Sequence, residues 1–259
     1  MFLVDSHCHL DLLDLSLFGG KLDAVIEHAT AHGVDAMLCV SVSLEEFPRA
    51  LAAARPYRRV YASVGVHPNE REGRDPTVEE LCALARSDRK IIAIGETGLD
   101  YYRSTGDLEW QRDRFSRHIR AAREIGLPLI VHMREAGADT LRILAEEGAD
   151  AVGGVMHCFT ADWPTAQRCM DLGFYISFSG IVTFASAKEL QQVAVRVPED
   201  RLLLETDCPY LAPVPQRGKP NQPAYTRYTA EFIARLRGVA LERIAAETTA
   251  NFCRLFRPP

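Results

Sequence analysis

The feature that most restricts what this chain can become is a regular alternation of short apolar runs with amphipathic stretches. Val4–Leu10, Val34–Val42, Val60–Val66, Lys90–Glu96, Pro128–His132, Val152–His157, Phe174–Phe178 and Arg201–Asp207 read as strands. Most are continuous apolar runs, as a parallel sheet covered on both faces requires. Between them lie stretches with helical spacing, such as Lys21–His32, where Leu22, Val25, Ile26 and Ala29 form one stripe. Thr77, with Glu80 three residues on, is a helix N-cap pattern. Gly33, Gly126, Gly148 and Gly173 each stop a helix just before the next strand. Two further helices, around Tyr225–Leu236 and Leu241–Leu255, end the chain.

Eight strand–helix units in 259 residues predict an α/β fold, a single (β/α)8 TIM-type barrel with C-terminal helices. No linker divides the chain, so residues 1–259 are expected to form one domain. A doubly wound open sheet is the alternative, but the glycine fingerprint that binds nucleotides is absent after the first strand. The net charge of −5 excludes a broad basic surface, so any nucleic acid must be held locally. Seven scattered cysteines without C-x-x-C argue against a disulfide framework and for a reducing, cytoplasmic setting. Cys8, Cys158 and Cys208 each adjoin a candidate ligand; strand alternation predicts that they face away as apolar filler. No uncharged apolar run is long enough to cross a membrane, and no secretory leader is expected.

Barrel enzymes place their chemistry at the C-terminal ends of the strands. The ionisable residues at those ends are His7 and His9, then His67, Glu96, His132, His157 and Asp207. Alternation places His7 and His9 on one face with Asp5. So many polar groups at one mouth are costly to desolvate unless they hold metal. The arithmetic points to two divalent ions: His7, His9 and Asp207 on one, His132 and His157 on the other, and Glu96 bridging. Such a pair activates water and steadies both oxygens of a displacement at phosphorus. Mixed imidazole and carboxylate donors suit Zn, Mn, Ni or Fe, and Mg less well.

Asp207 is the first candidate to orient and deprotonate water. Glu205, two residues earlier, is either a hydrogen-bonding support for a ligand or a general base. Asp5 is expected to anchor a ligand, and His67 to serve the substrate or its leaving oxygen. Arg134 and, in the loop Tyr210–Pro223, Arg217, Lys219 and Asn221 are candidate phosphate contacts. Tyr102, Phe159, Trp163 and Phe184 are loop aromatics that either stack bases or anchor the loops. His28, His32 and His118 fall on helices and are expected to be solvated.

With these residues placed, the sequence resembles the TatD-like metal-dependent hydrolases of the amidohydrolase superfamily. The matching stretches are VDSHCHLD, GVHP, IGETGLDYY, PLIVHMREA, GVMHCFT, YISFSGIVTF, LLLETDCPYLAPVPQRGKPNQP and TTANFCRLF. The single departure noted is Thr97, where the family commonly has Ile; it leaves Glu96 intact. The resemblance implies a TIM-type barrel, a metal pair on the six residues above and phosphodiester hydrolysis. It further implies a deoxyribonuclease, commonly a 3′–5′ exonuclease on single-stranded DNA, with Glu205 in a catalytic position. An ester hydrolase such as a D-aminoacyl-tRNA deacylase, and a metal-stabilised binding protein without catalysis, are the other readings to be separated.

Overall fold

The computed structural model describes residues 2–259. Eight strands run in chain order: β1 (Leu3–Cys8), β2 (Val34–Cys39), β3 (Val60–Val64), β4 (Ile91–Asp100), β5 (Leu129–Arg134), β6 (Gly154–Met156), β7 (Phe174–Phe178) and β8 (Leu202–Leu204). Each pairs in parallel with the next, so the sheet order is the sequence order. The crossover helices are α1 (Leu22–Ala31), α2 (Phe47–Ala54), α3 (Val78–Arg86), α4 (Glu109–Ile125), α5 (Gly137–Glu146), α6 (Trp163–Asp171) and α7 (Lys188–Arg196). After β8 come α8 (Thr226–Arg237) and α9 (Leu241–Phe256). The (β/α)8 barrel expected from the alternation is therefore what forms.

Local signals act as their chemistry requires. Thr77 caps α3 by accepting the Glu80 N–H, and the four helix-stop glycines sit at positive φ. Strand alternation sorts the core into two clusters. One residue from every strand points inward as Val4, Leu38, Tyr61, Ile92, Ile130, Val155, Tyr175 and Leu203, and Phe252 and Phe256 of α9 pack onto this set. Their neighbours Leu3, Met37, Ile91, Val131, Ile176 and Leu204 belong to the larger cluster shared with the surrounding helices. Apolar side chains thus fill the barrel interior and leave the C-terminal mouth for polar groups.

The barrel closes at a seam. Among the described residues no ladder joins β8 to β1. Instead Asp207 N–H donates to His7 O (2.9 Å) and His9 N–H to Cys208 O (2.9 Å). The Asp5 carboxylate accepts from Thr206 N–H (2.9 Å) and Thr206 Oγ1 (2.6 Å). Asp5 therefore fastens the seam and does not share a face with the histidines. The β1–β2 register shifts between Asp5 and Cys8, and Ser6 points across the barrel to Ser177 (3.2 Å). Strict alternation fails at that irregularity, which turns His7 into the mouth. Among the described residues no helix is long and apolar enough to cross a membrane.

Candidate active site

Seven residues predicted at strand ends meet at the mouth of an open cavity of about 790 Å³. Glu96, on β4, is the hub. Its Oε2 lies 3.4 Å from His7 Nε2, and its Oε1 lies 2.9 Å from His157 Nε2, 3.1 Å from His132 Nδ1 and 3.4 Å from His67 Nε2. Asp207 Oδ1 stands 3.4 Å from His9 Nε2 and 3.6 Å from His7 Nε2. The two Nε2 atoms of His7 and His9 are 3.3 Å apart. Asp207 reaches this position with a left-handed backbone (φ 58°), a conformation that Asp tolerates better than most residues. Close backbone approach brings β4 to β5: Gly98 has φ 133°, and a Cβ there would lie 2.0 Å from the His132 carbonyl oxygen.

The outer nitrogens settle what the inner ones offer. His9 Nδ1 donates to Val40 O (2.9 Å), His157 Nδ1 to Glu205 Oε1 (3.1 Å) and His132 Nε2 to Asp100 Oδ2 (3.1 Å). With the outer proton on those acceptors, the inner nitrogen of each neutral ring presents a lone pair beside a carboxylate oxygen. Lone pairs facing carboxylates repel unless a proton or a cation lies between them. Protons go some way: burial opposes charging His9, yet Asp207 raises it to about 9, and Glu96 and Glu205 hold buried His157 well above its usual value. Glu96 is fully buried, and the imidazoles around it nonetheless keep it well below the carboxylate range. Divalent metal fits this donor set: four ring nitrogens and two carboxylates converge, and three of the four rings are oriented from behind, while His7 Nδ1 has no partner.

His67 differs. Its Nδ1 accepts from Asn69 N–H (3.0 Å), so its proton is on Nε2 and points inward. Burial depresses it to about 4, so it stays neutral and offers an N–H where the others offer lone pairs. Its Nε2 also lies in a group with Glu96 and His132 compact enough for a cation. The tautomer favours donation over ligation.

The seam brings the His7–His9–Asp207 group together, and the family comparison agrees with the chemistry. Residues 4–257 match the family described as TatD related DNase. The chain belongs to that family. It is 51% identical to the metal-dependent hydrolase YcfH of Escherichia coli K12 over 99% of this chain and 96% of that one. It is 33% identical to the 3′–5′ ssDNA/RNA exonuclease TatD of Klebsiella pneumoniae, covering 94% and 95% of the two chains. The crystal structure of YjjV, a TatD homologue from Escherichia coli K12, superposes with a TM-score of 0.90 at 30% identity, covering 99% and 98%. As a TatD-family protein the chain is a metal-dependent hydrolase.

Other expectations need correction. Arg217 and Lys219 lie outside the cavity lining: Arg217 is exposed over the Phe184 ring (4.3 Å), and Lys219 Nζ bonds Gln216 Oε1 (3.1 Å). Their loop folds back on itself, and Asn221 is buried, donating to Thr206 O (2.8 Å) and Tyr210 O (2.5 Å). Phe159 is buried and anchors its loop, while Trp163 opens α6 and packs under Arg196 of α7. Cys8 and Cys208 are buried filler as expected, but Cys158 lines the cavity. β6 ends at Met156 and Cys158 has φ 44°, so alternation does not reach it. Burial and the nearby Asp207 and Glu205 carboxylates push its thiol well up, which keeps it protonated. His118 is not solvated; α4 buries it, and its Nε2 accepts the Val66 N–H (3.0 Å) just before His67.

The sequence reading leaves out two residues of the candidate site. Asp100 holds His132 from behind, and Arg103 lines the cavity. Asp100 lies four residues after Glu96, within the GETGLD stretch. A strand continued past Glu96 would have brought it to the rim, but the predicted strand stopped at Glu96.

Proposed function

We propose that this chain hydrolyses phosphodiester bonds at the ends of single-stranded nucleic acid, as a 3′–5′ exonuclease using a pair of divalent ions. The observation that carries the reading is the division of Glu96: one oxygen serves His7, and through it the His9–Asp207 side, while the other serves His132 and His157. His7, His9 and Asp207 would hold one ion, His132 and His157 the other, and Glu96 both. When bound, such a pair lowers the pKa of water and offsets charge on the phosphoryl oxygens.

The chain's own groups supply the rest. Asp207 is open to the cavity and is placed to orient the attacking water and take its proton. His67 donates its Nε2–H to the leaving or a non-bridging oxygen, which stabilises charge as it develops. Glu205, fully buried, accepts from His157 Nδ1 and from Cys158 N–H (2.7 Å) and so positions His157. Asp100 does the same for His132. The name of the Klebsiella relative supports the nucleic-acid class and the polarity.

The test is a metal-titrated screen of end-labelled single strands beside an aminoacyl ester and a lactone. Release of mononucleotides from the 3′ end, lost in Glu96→Ala with the circular dichroism unchanged, is the expected result. Turnover of the ester or lactone alone would replace the reading with a carbon-centred hydrolase.

A further inference from the structure

The cavity rim is not uniform. In an eight-strand ring, the loops after β4 and β5 stand across the mouth from those of β8 and β1. The β8–β1 side presents Leu12, Tyr210 and Leu211, with Tyr210 half exposed. The β4–β5 side presents Arg103 and Arg134. Among the described residues neither guanidinium has a carboxylate within ion-pair distance, while Arg112 and Arg114 on the adjoining helix α4 are both paired. The acidic groups that line the cavity beside them, Glu70 and Asp100, are engaged elsewhere. Glu70 accepts from Glu72 N–H and Gly73 N–H, and Asp100 is committed to His132, Asn69 and the backbone.

The loop that carries Arg103 is built rigidly. Asp100 Oδ1 accepts from Tyr102 N–H (3.1 Å) and Arg103 N–H (2.8 Å). Gln111 fixes its two ends, with Oε1 on Asp100 N–H (3.0 Å) and Nε2 on Ser104 Oγ (3.0 Å). The exposed Tyr102 ring lies under the Arg134 guanidinium at 3.9 Å, and Tyr101 N–H bonds Arg134 O (2.9 Å). One pinned loop therefore sets both residues at the lip, with the Arg134 guanidinium stacked on Tyr102 and the exposed Arg103 beside it.

Resting on the phosphodiesterase reading above, we propose that Arg103 and Arg134 form a second anion subsite, which holds the phosphate next to the scissile one in a single-stranded oligonucleotide. The terminal nucleoside then lies against the Tyr210 wall, and the remaining strand leaves across β4 and β5. In a chain of net charge −5, this local pair supplies the electrostatic hold that a basic surface supplies elsewhere.

The experiment is fluorescence anisotropy of the metal-loaded protein with a nuclease-resistant phosphorothioate hexathymidylate. A second ligand carries a neutral methylphosphonate at the linkage next to the 3′-terminal one. The neutral linkage should weaken binding to the unaltered protein about tenfold, and binding to R103A/R134A less than about twofold. The salt slope should fall by about 0.7 in that variant, the value for one phosphate on a single strand, and R103K/R134K should restore it. An equal penalty for the neutral linkage in both proteins would overturn the subsite. Hexaglutamate bound as tightly, with the same arginine dependence, would overturn its assignment to phosphate. Binding is read without turnover, so a protein that shows the linkage effect but cleaves no strand would sink the nuclease reading and leave the subsite standing.

Discussion

Glu205→Gln separates a positioning role from a base. The side chain is fully buried, and its Oε1 takes two hydrogen bonds, from His157 Nδ1 at 3.1 Å and from Cys158 N–H at 2.7 Å. Glutamine has the same shape and can keep its carbonyl oxygen on both donors, with its NH2 in the place of Oε2, a buried oxygen without a hydrogen-bond partner, so the change removes charge and adds one buried donor. His157 then becomes a poorer metal ligand, because the acceptor behind it no longer enhances its basicity. Losing such a partner typically costs about 10- to 100-fold in metal affinity, or about 1.4–2.7 kcal/mol. At saturating metal, turnover should return to within about threefold. A general base would behave the opposite way: turnover should drop by about 10²–10⁴ however much metal is added. Metal titrations followed by calorimetry and by end-labelled cleavage give both numbers. A turnover loss above about 100-fold with unaltered affinity would refute the positioning role. Glu205→Ala should also destabilise the fold by about 1–3 kcal/mol, because the Cys158 N–H and His157 Nδ1 lose their acceptor.

His118 should make stability depend on pH. Burial holds it at about 4 in the fold against an ordinary 6.5, so the folded state binds fewer protons. Its contribution is complete above pH 6.5 and is lost as pH falls from there towards 4, by about 3 kcal/mol in all. Urea unfolding of H118Q beside the parent should lack that slope; parallel curves would contradict it. Metal uptake near pH 7 should release protons, because in the metal-free site Asp207 holds His9 at about 9 against the opposing effect of burial. Affinity should therefore rise with pH up to about 9, and calorimetry in buffers of different ionisation heat should detect at least about one proton. Gly98→Ala, with a Cβ 2.0 Å from the His132 carbonyl at φ 133°, should cost about 3 kcal/mol or more and lower the melting temperature by at least about 6 °C.

The barrel was legible because each unit repeats the same physics. Apolar runs buried on both faces, helical stripes and left-handed glycine stops mark the eight units, and strand-end position sufficed to collect His7, His9, Glu96, His132, His157 and Asp207. Period and position do not carry backbone irregularity. The register shift in β1 moved Asp5 to the seam, and the left-handed turn at Cys158 brought a thiol into the cavity. β8 ended at Leu204, before the acidic pair it was expected to include. Nor does residue type reveal which partner a side chain finds. Arg217 and Lys219 carry the right charge but belong to a loop that folds away, while Arg103 sits on a loop that Asp100 turns inward. Helix membership made His118 look solvated, although the buried face of α4 holds it.

The join between first and last strands has a wider meaning. His7 and His9 stand on one lip of that gap and Asp207 on the other, so a cation gripped by all three is also a clasp on the cylinder. Such an ion would reinforce a join that the hydrogen bonds between His7 and Asp207 and between His9 and Cys208 already close. Chelation should loosen the amides of His9 and Asp207 before those of the interior strands, and hydrogen exchange would report the barrel unbuttoning at the place where it works.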